Sequence, residues 1–267
     1  MSASEFKSNL TMTHIGTACA ILEIEGVNLL TDPVFAPAGT EYDLGNYVMK
    51  QIQGPALKLE ELPPIDAVLL SHEDHLDNLD PLGRQLLDGR KVVTTMDGAK
   101  NLQPRPGVRG ICPWETLTLE AGGKQFRLTG TPCQHLPGGE VTGFIIESPT
   151  FGTSADGKPN VIFWTGDTVY IEELLQIRDK YHVSVLIMNL GKAEATLPDI
   201  GLVHLTMGGK DGAKLARELA ADVVVPVHFD EWKHFTEFGE ELRKVFEQEG
   251  IADRVCWLTP GVPKRVI

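Results

Sequence analysis

A layered α/β fold, with sheets packed together and helices outside, is predicted by three features of the 267-residue chain. Its first half carries short β-rich runs bounded by Gly, Pro or Asp, and its second half alternates buried-strand runs with segments of helical period. The glycine signatures of a doubly wound nucleotide-binding sheet are absent: there is no GxGxxG after the first strand and no GxxxxGK[ST] anywhere. At 42% hydrophobic residues the chain can bury a large core. No internal repeat or low-complexity segment interrupts it, and the Pro/Gly-rich pieces at 36–55, 104–113 and 148–160 are too short for domain linkers, so residues 1–267 are expected to form one domain.

Taken in chain order, alternation over residues 20–25 followed by the apolar run 26–30 predicts a hairpin that turns at Glu25-Gly26. Strands are expected at 66–70, 91–95, 125–129, 143–147 and 161–165, each a β-branched or aromatic run closed by a breaker. The period then changes. Residues 171–181, 208–221 and 235–248 space Leu, Ala and Phe as helices do, and they alternate with buried-strand runs at 183–188 and 222–227. An earlier helix is expected at 78–87.

A formal charge of −13 argues against a nucleic-acid partner, which draws its affinity from clustered Lys and Arg, and favours a small-molecule substrate. The start, MSASEFKSNLTMTH, has the pattern of neither a secretion signal nor an import signal. No apolar run approaches the roughly 20 residues that cross a bilayer, so no membrane partner is expected. Cys19, Cys112, Cys133 and Cys256 lie far apart with no CxxC pair, which reads as reduced thiols in a cytoplasmic protein.

The stretch LLSHEDHLDNLD, residues 69–80, crowds two histidines among carboxylates directly after the strand at 66–70. Imidazole nitrogen and carboxylate oxygen suit zinc, iron and manganese, and a site with an open position acidifies a bound water. The competing reading is a solvated turn into the helix at 78–87, with Asp77 or Asp80 as N-cap. Four further segments place a ligand-type residue after an apolar strand: Asp32 in TDP, His135 in CQH, Asp167 in TGDT and His228 in PVHF. Five such segments in order favour a site gathered at the strand ends of one sheet edge. A nucleophile elbow, GxSxG, is absent.

On these motifs the chain resembles the metallo-β-lactamase-fold superfamily, in its branch of metal-dependent hydrolases with a TDP motif near the N-terminus. LLTDP at residues 29–33 is similar to the first motif, SHEDH at 71–75 to the second, usually written HxHxDH, and His135, Asp167 and His228 to the third, fourth and fifth. The resemblance implies a four-layer αββα sandwich and hydrolysis by metal-activated water of a small-molecule ester, lactone, amide or phosphodiester. It implies one or two zinc ions, with iron or manganese as alternatives, and Asp167 bridging two positions. Two histidines stand where the second motif has three. If Asp74-His75 is the Asp-His pair, His72 takes the second position and the first is lost; if the strand end sets the alignment, His72 is the first and the loop is shortened. Carried over by residue, His72, His135 and Asp167 form one site and Asp74, His75, His228 and Asp167 the other, the second being the better furnished. Asp74 and His75 would then also handle the proton. Asp32 is expected to hold the ligand loop by hydrogen bonds, and His14 to lie behind the ligands or replace the absent one, as Glu73, Cys133 and His204 also could. Lys192, His204, Trp232 and His234 are expected around the substrate. The rival readings are an iron-dependent redox enzyme on the same fold and a non-catalytic protein with a decayed site.

Overall fold

Alternating apolar residues near the start form a meander in the computed structural model: Leu10–Gly16, Cys19–Ile24 and Val27–Thr31 pair antiparallel. Glu25 and Gly26 link the last two with φ of 52° and 83°, the paired positive values that a two-residue hairpin turn requires. The structure describes residues 6–45, 47–136, 139–197 and 200–267.

Three parallel strands, Ala67–Leu69, Lys91–Thr94 and Val108–Gly110, extend this meander on one side and Lys264–Arg265 closes it on the other, giving a seven-stranded sheet. A six-stranded sheet faces it. Its order is Val223–Val227, His182–Asn189, Asn160–Trp164, Gly143–Glu147, Lys124–Thr131 and Thr116–Ala121. The first three of these run parallel and the rest antiparallel.

The period-2 alternation of each strand sorts its side chains between two interfaces. Leu22, Leu29, Phe126, Leu128, Phe144 and Trp164 meet between the sheets, while Ile21, Leu30, Val68 and Leu70 face outward. That outer face is covered by Leu79, Leu86, Leu87 and Leu102, from the helix Pro81–Leu86 and the segments around it. On the far side, Phe163, Leu186 and Met188 pack under Ala213, Leu215 and Ala216 of the helix Gly209–Glu218 and Leu242 and Phe246 of the helix Gly239–Gln248. The result is the four-layer αββα sandwich.

Three predicted helices start late or change pitch. The segment at 171–181 is a 3₁₀ turn, Glu172–Gln176, running into the single α turn Ile177–Lys180. The helix expected from 78 begins at Pro81, where Asp80 accepts the Gly83 N–H at 2.6 Å. The one expected from 235 begins at Gly239, and residues 229–238 are spent as a loop beside His228. Short strands that the periodicity missed include Thr116–Ala121 and the hairpin Glu194–Leu197 with Gly201–His204. Among the described residues no helix is long and apolar enough to cross a membrane, and the four cysteines are free thiols.

Candidate metal centre

The site grows from one edge shared by both sheets. Asp32 follows the strand Val27–Thr31, Ser71 and His72 follow Ala67–Leu69, His135 follows Lys124–Thr131, Asp167 follows Asn160–Trp164 and His228 follows Val223–Val227. Sharp backbone turns aim these side chains. Gly166 has φ of +59°, and a Cβ there would lie 2.6 Å from the Thr142 carbonyl oxygen, so only glycine lets the chain turn into Asp167.

Asp32 organises the first loop. Its Oδ1 accepts the Ser71 N–H at 2.7 Å, and its Oδ2 accepts the Ser71 hydroxyl at 2.6 Å and the Asn78 amide at 2.9 Å. Burial pushes its carboxyl up to about 8, against the hydrogen bonds from Asn78 and Ser71 that hold it down.

These bonds settle the state of the histidines. With the Asp32 carboxylate ionised, the Ser71 hydroxyl donates to it and accepts from His72 Nδ1–H at 2.8 Å, which leaves His72 Nε2 a bare lone pair. His135 Nδ1 lies 2.7 Å from the Leu205 carbonyl and must donate to it, so His135 Nε2 is bare as well. Both bare nitrogens face His75 Nδ1, at 3.0 and 3.1 Å. One neutral imidazole can offer a single proton there, whereas a cation satisfies all three lone pairs together. Burial first, then the neighbouring imidazoles, hold the His72 and His135 pKa values below the usual histidine range, so both stay neutral and able to ligate. Among the described residues, His72, His75 and His135 are the group whose ligand atoms all lie within 4.8 Å of one another.

A second set lies beside the first, with wider spacings between its ligand-type atoms. It runs as a chain: His234 Nε2 is 3.1 Å from Asp77 Oδ2, His228 Nε2 is 3.8 Å from the same oxygen, and His228 Nε2 is 3.5 Å from Asp167 Oδ2. The far oxygen of Asp167 is held by the Asn189 amide at 2.6 Å. His228 Nδ1 lies 3.2 Å from the Leu190 carbonyl, and its buried Nε2 has no hydrogen-bond partner. An orphaned nitrogen facing two buried carboxylates fits a cation position. Burial works against charge on Asp77, but the His234 hydrogen bond and the charges of His234, His228 and His75 win and hold its carboxyl well below the usual range. Asp167 is likewise held low against burial, by His228 first, and lies between the two sets.

Several expected residues lie elsewhere. Asp74 is exposed against Gly139 and joins neither set. Two residues rather than one separate His72 from His75, and the extra length bulges Asp74 outward, while Glu73 is pinned by Arg84 at 2.7 Å and Asn101 at 2.9 Å. His75 therefore joins His72 and His135 instead of pairing with Asp74, and Asp77, read from sequence as a cap, points inward. His72 stands at the strand end, and Asp77-Asn78 occupies the buried, inward place that was expected for Asp74-His75. The missing imidazole thus falls in the second set, so the first is the better furnished, the reverse of the expectation. Trp232 is wholly buried, donating to Thr17 Oγ1 at 2.9 Å, and packs with Val34, Leu205 and Phe235 rather than forming a rim. His204 and Lys192 are half exposed and turn to Glu194, at 3.1 and 3.8 Å. His14 Nε2 lies 2.9 Å from the carbonyl of Thr17, which also accepts the His228 N–H at 2.8 Å, so His14 lies behind His228.

A profile described as a β-lactamase superfamily domain matches residues 27–229, from the strand before Asp32 to the residue after His228. The chain belongs to that family. A UPF0173 metal-dependent hydrolase of Methanopyrus kandleri is 25% identical over 257 residues, 94% of this chain and 98% of its own. The N-acyl-phosphatidylethanolamine-hydrolyzing phospholipase D of Saccharomyces cerevisiae mitochondria is 24% identical over 254 residues, and the chain spans 53% of that relative's length. Among solved structures, an isothiocyanate hydrolase from Delia radicum gut bacteria superposes with a TM-score of 0.76 at 20% identity, covering 95% of this chain and 98% of its own.

Proposed function

We propose that this protein is a metal-dependent hydrolase of small molecules, with zinc held by His72, His75 and His135 and a second cation position at Asp77, Asp167 and His228. The observation that carries this reading is the convergence of His72 Nε2 and His135 Nε2 on His75 Nδ1, at 3.0 and 3.1 Å, in a group whose ligand atoms all lie within 4.8 Å of one another. A divalent cation bound there supplies Lewis-acid polarisation of a carbonyl or phosphoryl oxygen and lowers the pKa of water. The chain's own residues do the rest. Asp32, Ser71 and Leu205 fix the ring orientations, and Asn189 fixes Asp167, so that the acceptor atoms are arranged before substrate arrives. The Asp77 carboxylate, held ionised beside His234, would serve the second cation position as an anionic ligand, a place that the exposed Asp74 cannot take.

Hydrolysis as the reaction class agrees with the metal-dependent hydrolase names among the relatives. The substrate class we infer is an uncharged or anionic small molecule with an ester, lactone, amide or phosphodiester bond, handled in the cytoplasm. The test is reconstitution of chelator-stripped protein with zinc, manganese or iron, followed by assay on a panel of these four bond types. Metal-dependent turnover that His72→Ala abolishes is the expected result. Oxygen consumption with iron and no hydrolysis would replace this reading with a redox one.

A further inference from the structure

The second cation position lacks the imidazole that Asn78 displaces, and a different histidine stands next to it. We propose that His234 supplies the missing ligand, taking its place beside Asp77, Asp167 and His228. The inference rests on the reading of the site as a metal centre and extends it to a residue outside the family motifs.

Four observations carry it. Asn78 spends its amide N–H on Asp32 at 2.9 Å, so it holds the loop as a positioning residue. His234 Nε2 lies 3.1 Å from Asp77 Oδ2, about the spacing of neighbouring ligand atoms each roughly 2.1 Å from a shared ion. The His234 side chain is 10% exposed, its Nδ1 is buried without a hydrogen-bond partner among the described residues, and its Nε2 contact is to Asp77, a residue of the same set. Its placement is also rigid. The ring packs 4.7 Å from Phe235, which packs 4.6 Å from His228, and the adjoining backbone is tied through Lys233 N–H to the Lys50 carbonyl at 3.0 Å and through Trp232 to Thr17. The other three histidines outside the two sets are engaged elsewhere: His14 with Thr17, His182 with Asp222 and His204 with Glu194.

The experiment is titration of chelator-stripped protein with cobalt(II), followed by its visible ligand-field bands, together with zinc content after desalting. Wild type should take up two equivalents. His234→Ala and the gentler His234→Gln should keep the first equivalent at wild-type affinity, which also reports that they fold, and bind the second at least tenfold more weakly. Adding Asn78→His to His234→Ala should restore the second equivalent, a rescue that a purely structural role for His234 would not give. Retention of the second equivalent at wild-type affinity in both His234 variants would overturn the proposal. A wild type that takes up one equivalent, lost in His72→Ala, would also overturn it while leaving the metal reading intact; a wild type that takes up none would overturn both.

Discussion

At the scale of single residues, the centre depends on groups that never touch the cation. Replacing Asp32 with Ala leaves the Ser71 N–H, the Ser71 hydroxyl and the Asn78 amide without their acceptor and frees the His72 ring to turn. Metal affinity should fall about 10- to 100-fold with no ligand removed, measured by competition with a chromophoric chelator; unchanged affinity would refute the positioning role. Acid and base act on the metal-free chain with opposite signs. Asp32 is moved from 3.8 to about 8, so between those values the folded chain holds more protons than the unfolded one, and stability declines as pH rises. His72 and His135 are kept neutral below the ordinary 6.5, so below that value the unfolded chain holds more protons and stability declines as pH falls. Denaturant midpoints in chelator should therefore peak on the acid side of neutrality, and Asp32→Asn should flatten the alkaline limb. A steady climb from about pH 6 to pH 8 would contradict the assignment. The residue types of this site were legible because five segments in succession place His or Asp at a strand end, where any one alone reads as a turn or cap. Their pairing was not, since whether Asp74 or Asp77 points inward depends on one extra residue in the loop.

At the scale of elements, the helix Pro81–Leu86 shows how little separates a cap from a ligand. Asp77 and Asp80 both precede it, and sequence spacing admits either as N-cap. Asp80 takes the role because its Oδ2 also accepts the Phe35 and Ala36 N–H groups, at 2.8 and 2.6 Å, fastening the helix to the loop after Asp32. Asp80→Ala should cost about 1 kcal/mol for the cap and about 1–3 kcal/mol for each further buried donor left unpaired. A shift in urea midpoint equivalent to about 3 kcal/mol or more is the expected outcome; a shift below about 0.5 kcal/mol would mean the loop donors find other partners. Most of the central strands were legible from alternation or apolar runs, whereas Leu10–Gly16 and Thr116–Ala121 were not expected. The helix at Gly239 was misplaced because Phe235 fits its apolar stripe, yet that ring packs against His228 and His234 instead, a contact from elsewhere in the fold.

At the scale of the whole molecule, the proposed ligands come from four separate strand ends and both sheets, so on this reading metal binding and folding are linked. At a free zinc concentration about 1,000 times Kd the folded state gains about 4 kcal/mol, which for a chain of this size corresponds to roughly 10 °C in melting temperature. Calorimetry with and without chelator checks this, and His135→Ala should erase most of the difference; a melting temperature indifferent to chelator would favour a decayed site. By itself the sequence determined the layered architecture, through apolar periods of 2 and 3.6, and it singled out most residues of the candidate metal centre, through ligand-type side chains at strand ends. Only the tertiary structure decided which histidines share a position, that Asp77 rather than Asp74 faces them, and that His234 approaches from a loop beyond the last motif. The physical reason is range. Periodicity is a local property, set by neighbours a few residues apart, whereas a coordination geometry of about 3 Å is set by how distant strand ends and loops come to rest against one another.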